Sequence, residues 1–145
     1  MKLSADLISF QTRLGYTFGD PSLLIESVTH SSMSSQTRHD NQRLEFLGDR
    51  VLGLVIAKKL LEIYPNENEG ILDKKFASLV NKNTCLEIAK NIKLENFIQT
   101  LNPKNKSIKI EDKIISDCCE ALVGAIYLEK GLGTVERFIL VLWQD

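Results

Sequence analysis

The stretch Gln42-Arg43-Leu44-Glu45-Phe46-Leu47-Gly48-Asp49-Arg50 decides how the rest of the chain is read. Glu45 and Asp49 stand four residues apart. At about 100° per residue, a helix puts both carboxylates on one face, one turn above the other. Leu44, Phe46, Leu47, Val51 and Leu52 flank them, so two acids lie at the edge of a strongly apolar helix. The pattern continues through Leu54, Val55, Lys58 and the run from Leu61 to Ile63. Asn41 is placed to cap the start. Tyr64-Pro65-Asn66 ends it, because proline disfavours helix in the residue before it.

Outward from this helix, the chain reads as helices almost throughout. Leu3, Leu7, Phe10 and Leu14 recur at helical spacing, with Gly15 as a stop. Asp20-Pro21 opens a second helix, expected to run to about His30. The polar stretch 31–40 reads as a loop, 69–80 and 82–91 as two helices, and 95–98 as a short helical turn. A Lys/Asn loop over 102–107 precedes a helix over 111–129 closed by Gly131, and 134–143 is the last helix. No run carries convincing strand alternation, and neither a repeat nor a composition shift marks a second domain. The expectation is one all-α domain over residues 1–145.

Bulk properties bound the function. A chain of 145 residues with 43% apolar content has enough material for a core, and it is neither disordered nor membrane-like. Its longest apolar runs are too short to span a bilayer, and Asp6 interrupts any signal-peptide core. A soluble, cytoplasmic protein without membrane partners is expected. Cys85, Cys118 and Cys119 are odd in number and lack CxxC spacing, so they read as buried reduced thiols. The net charge of −1 supplies no basic field. Action on nucleic acid would need local basic patches, a metal or a second module.

The helix over 111–129 carries a second acid pair, Asp117 and Glu120, three apart and on one face. Gly48, Gly53 and Gly124 sit in the two acid-bearing helices, where each costs roughly 1 kcal/mol against alanine. Close approach of two helix backbones would justify that cost. Packing of the two helices would bring four carboxylates together. A like-charged pair about 4 Å apart costs on the order of 4 kcal/mol at an effective dielectric of 20. Protons or a divalent cation must relieve it. Oxygen ligands without His or Cys select a hard ion, Mg²⁺ with Mn²⁺ as a substitute, and the chemistry implied is metal-assisted phosphodiester hydrolysis. Spacing alone leaves open ordinary solvated acids, with Glu45 paired to Arg43 or Arg50.

The segment Gln42–Asp49, QRLEFLGD, strongly resembles the signature of the ribonuclease III family, which usually begins with Glu rather than Gln. Thr29-His30-Ser31, Asn68-Glu69-Gly70 and Asp117-x-x-Glu120-Ala121-Leu122 followed by Gly124-Ala125-Ile126-Tyr127 resemble further family motifs, in family order. The resemblance implies an all-helical homodimer acting on double-stranded RNA. It implies a cut in each strand that leaves 5′-phosphate and 3′-hydroxyl ends with a short 3′ overhang. It suggests ribosomal RNA precursors and other transcripts as substrates. Carried over by residue, Glu45, Asp49, Asp117 and Glu120 match the metal-binding acids, with Asp49 and Glu120 catalytic. Glu69 and Gln42 match supporting positions. Bacterial members usually continue into a double-stranded-RNA-binding domain. This chain has no room for one, and its apolar pattern still runs at Trp143, so a piece of a longer protein is expected.

Lys104, Lys106, Lys109 and Lys113 form one basic cluster, and Lys74, Lys75 and Lys82 a second. Each reads either as a phosphate contact along an A-form duplex or as a solvated face. His30 reads as structural. Phe46, Leu47, Val51 and Leu54 cover more than one helix face, which suggests burial both in the core and against a second copy. Trp143 reads either as a last core anchor or as facing a missing domain.

Overall fold

Capping chemistry sets most helix ends. In the computed structural model, which describes residues 3–33, 39–99 and 110–143, Ser4 caps α1 (Ala5–Leu14) by accepting from the Leu7 amide. Gly15 ends it with a positive φ of 76°. Asp20 caps α2 (Pro21–Ser27). The long α3 (Gln42–Ile63) stops at Tyr64, before Pro65. Asn68 caps α4 (Glu69–Val80). Asn81 closes α4, donating to the Ala77 carbonyl, and opens α5 (Lys82–Asn91), accepting from the Thr84 amide. The last two helices, α6 (Asp112–Lys130) and α7 (Leu132–Leu142), meet at Gly131, whose φ is 83°. A 3-10 turn at Leu94–Asn96 fills the expected short turn. No strand occurs among the described residues, and the fold is all-α as expected.

Several expectations need correction, and the stretch expected as a loop over 31–40 opens with a 3-10 turn at Ser31–Met33. The second helix ends at Ser27, not near His30. There the backbone turns aside to pair with Gln99: His30 N–H donates to the Gln99 carbonyl, and Gln99 N–H to that of Val28. Asn41 makes no capping bond. It is buried, and its amide donates to the Ser27 carbonyl (3.2 Å) and the Cys118 Sγ (3.1 Å), while Asp40 accepts from the Gln42 amide. The last helix starts two residues early, at Leu132.

The centre of the fold is α6. Every residue from Ile115 to Ile126 on it is buried, because α2, α3, α5 and α7 all pack around it. A helix that is enclosed on all sides must be apolar nearly all round. The charged exceptions, Asp117 and Glu120, are therefore carried into the interior by position. The largest interface is α3 against α6. A Cβ on Gly48 would fall onto the Glu120 carbonyl, and one on Gly124 onto the Leu44 carbonyl. The two helices thus touch backbone to backbone at these glycines. Gly53 does not share this role: a Cβ there would meet only the Phe76 ring, at 3.4 Å.

Other ties complete the frame. Glu129, at the end of α6, accepts from the Tyr16 hydroxyl and from the Gly19 and Asp20 amides, clasping the α1–α2 turn. Trp143 is a core anchor, and its indole N–H donates to the Leu79 carbonyl at 2.8 Å. The three cysteines are buried free thiols. No helix among the described residues is long and apolar enough to cross a membrane.

The glycines give a discriminating test of this packing. Gly48→Ala or Gly124→Ala should cost about 3 kcal/mol or more, since backbone cannot yield to the added methyl. Gly53→Ala should stabilise by up to about 1 kcal/mol through helix propensity. Urea denaturation of the three variants measures both directions.

Candidate metal centre

Glu45 arrives from α3, one turn before Gly48, while Asp117 and Glu120 come from the buried stretch of α6. The glycine contact holds the two helices close enough for the acids to converge. Ligand oxygens of Glu45, Asp117 and Glu120 all lie within 4.8 Å of one another. Their side chains are 26%, 11% and 2% exposed, so the group opens to solvent on the Glu45 side and is sealed behind Glu120. Three convergent carboxylates without His or Cys form an oxygen-only donor set, which fits a hard divalent cation.

Asp49 is not part of this trio. It is exposed, lies 3.7 Å from the Arg50 guanidinium, and approaches the cluster beside Glu120. Glu69 is exposed on the first turn of α4, outside the trio. Gln42 is exposed at the start of α3 and lines a shallow apolar hollow with Arg43, Phe46, Leu47 and Leu128.

Two lysines assigned by sequence to basic surface clusters turn onto the carboxylates instead. The Lys82 ammonium contacts Glu120, donates to Asp117 at 2.9 Å and lies 3.7 Å from Glu45. Lys113 donates to the other Asp117 oxygen at 2.7 Å. Sequence offered one hint about Lys82: as the first residue of α5 it opposes the helix dipole, a local cost that invites an explanation. Of the remaining RNA-contact candidates, Lys74 is exposed on α4, and Lys75 lies over the Tyr64 ring at 4.2 Å. Lys104, Lys106 and Lys109 lie outside the described residues.

The electrostatics follow burial. Desolvation pushes the Glu120 carboxyl up to about 7, against the pull of Lys82 and aided by neighbouring Asp49. Burial and Asp117 raise Glu45 as well. Burial would raise Asp117 too, but hydrogen bonds from Lys113 and Lys82 outweigh it and hold that carboxyl below its usual range. Burial opposes the charge on Lys82, but its hydrogen bonds to Glu120 and Asp117 outweigh that and keep the ammonium charged.

A family model described as Ribonuclease-III-like matches residues 20–144. This chain belongs to the ribonuclease-III-like family. Ribonuclease 3 of Pelagibacter ubique (strain HTCC1062) is 62% identical over 138 residues, covering 95% of this chain and 61% of that protein. The chain thus spans about three fifths of the length of such curated relatives. Among solved structures, the nuclease domain of ribonuclease III from Campylobacter jejuni superimposes with a TM-score of 0.87 at 36% identity, over 97% of this chain and 95% of that one. A second structure of that domain, concerned with flexibility in a region involved in dimer formation, gives 0.85 at 38% identity over 92% and 93%.

The raised carboxyls make stability pH-dependent in a ribonuclease-III-like domain kept free of metal. Unfolded, Glu120 ionises near its ordinary 4.5; folded, near about 7. Stability should therefore fall as pH rises between those values, with Glu45 adding to the same slope. Glu120→Gln should flatten the curve by about 1–3 kcal/mol. Chemical denaturation in EDTA from pH 4.5 to 8 measures this, and an unchanged slope would refute the buried-acid assignment.

Proposed function

We propose that this domain, residues 1–145, is the catalytic unit of a divalent-metal-dependent endoribonuclease acting on double-stranded RNA. The observation that carries the reading is the convergence of Glu45, Asp117 and Glu120 from two helices locked at a glycine contact, in a chain of the ribonuclease-III-like family. Glu45, Asp117 and Glu120 hold the ion, Mg²⁺ or Mn²⁺ in its place. Asp49, beside Glu120 and open to solvent, completes the ligand set from the RNA side. When bound, such an ion activates water for attack on phosphorus and stabilises the leaving oxygen.

The chain's own residues do the rest. The sealed wall behind Glu120 limits solvent access to the open Glu45 and Asp49 side, so substrate approaches from there. Glu69 and Gln42 act as supporting groups at the rim. Lys74 and Lys75 on α4, with Lys104, Lys106 and Lys109, contact phosphates along the duplex. Hydrolysis leaves 5′-phosphate and 3′-hydroxyl ends with a short 3′ overhang. Processing of ribosomal and other RNA in the cytoplasm is the role we assign.

We further propose that the unit works as a homodimer, so that one site serves each RNA strand. The support is an apolar face on α3 beside the acids: Phe46 is 63% exposed, and its ring, Leu47 and Leu128 share one hollow. A symmetric contact there is self-complementary.

The activity is tested on a labelled RNA duplex at low salt. Cleavage should require Mg²⁺, stop in EDTA and fall at least about a hundredfold in Glu120→Gln, beyond the loss typical of an outer-shell change. Metal-independent cutting, or full activity in the variant, would refute the reading. For assembly, Phe46→Asp should convert a dimer to a monomer in sedimentation equilibrium. An unchanged mass would exclude this face.

A further inference from the structure

The Lys82 ammonium sits where the three carboxylates converge. It contacts Glu120, donates to Asp117 at 2.9 Å and lies 3.7 Å from Glu45. These are the same three residues whose oxygens converge within 4.8 Å. An ammonium and a hard cation compete for such oxygens, because both are satisfied by the same lone pairs. Lys82 is also built to leave. Its side chain is 55% exposed, and its backbone is pinned separately, through the Asn81 cap that joins α4 to α5. Its flexible stem can therefore swing into solvent without disturbing the helix. Lys113, by contrast, holds the outer Asp117 oxygen from the same helix, four residues away.

We propose that Lys82 is the resident counter-ion of the carboxylate cluster, and that a divalent metal binds this chain by exchanging with the Lys82 ammonium. The proposal rests on the metal-centre reading above. Three converging acids on buried helix backbone cannot separate when metal is absent, so an internal cation keeps the empty cluster from repelling itself apart. The cost is a metal affinity lower than the bare carboxylates would give. Lys82 thereby sets the ion concentration at which the site fills.

The experiment follows Mn²⁺ binding by the free-ion electron paramagnetic resonance signal, without RNA, in the 145-residue chain and its variants. Lys82→Met should bind Mn²⁺ about tenfold more tightly, since charge-assisted bonds no longer compete. In EDTA the same variant should melt at lower temperature than the parent, and saturating Mn²⁺ should raise its melting temperature by more. Lys90→Met is the control: it removes an equal charge from α5, at a lysine that pairs with Asp112 instead. Equal tightening in both variants would reduce the effect to net charge and overturn the proposal. Unchanged affinity in Lys82→Met, with binding still abolished in Glu120→Gln, would overturn the exchange and leave the metal centre intact. No binding to any of the folded proteins would remove both. Lys82→Gln, a polar replacement at a half-exposed position, serves the same comparison if the methionine variant does not fold.

Discussion

Backbone contact between α3 and α6 fixes the distances on which the whole site depends. Two helices normally keep their axes about 8–10 Å apart because side chains stand between them. At Gly48 and Gly124 nothing stands between, and the Glu120 and Leu44 carbonyls occupy the space a Cβ would need. Glu45 sits one residue beyond Leu44, and Glu120 carries the carbonyl that Gly48 faces. The residues that make the contact are thus the site residues themselves or their immediate neighbours. A shift of either helix would move the carboxylates and the contact together, so geometry at the cluster is inherited from helix packing.

That arrangement forces charge into the core. The enclosure of α6 leaves Glu120 with 2% of its side chain exposed, and burying a carboxylate is expensive unless it is paired. The molecule answers in two ways at once. Asp117 receives two ammonium groups and stays charged. Glu120 is the more deeply buried, and burial, aided by nearby Asp49, lifts its carboxyl to about 7 against the pull of Lys82. Neighbours on one helix turn therefore differ in how firmly they hold a proton, through the depth of burial of Glu120 and the second lysine that reaches Asp117.

Much of this was legible in the sequence wherever local chemistry decides the outcome. Asn68, Asn81 and the Tyr64-Pro65 pair set helix ends that depend on one or two residues, and the expected bounds of α4 and α5 hold. The glycine cost at Gly48 and Gly124 pointed correctly to a close contact. Failures fall where distant residues intervene. The end of α2 is set by Gln99, some seventy residues on, and Asn41 is diverted from capping by Ser27 and Cys118. Gly53 could not be told from Gly48, because the difference lies in whether backbone or the Phe76 ring faces it. Lys82 is 35 and 38 residues from its partners. Read as one lysine among several, it could not be separated from a solvated cluster.

The apolar face of α3 gains meaning from its angle to the acids. Phe46 follows Glu45 by one residue, about 100° round the helix, so the exposed ring and the carboxylate are fixed relative to each other by a single residue step. Leu44 and Gly48 on the inner side are buried against α6. One helix thus presents three features at three angles: contact with α6, a carboxylate of the acid cluster, and an exposed apolar patch. Any partner covering Phe46 is placed in fixed register with the carboxylate beside it. In the symmetric pair of copies proposed above, that register would tie the spacing of the two acid clusters to the contact itself.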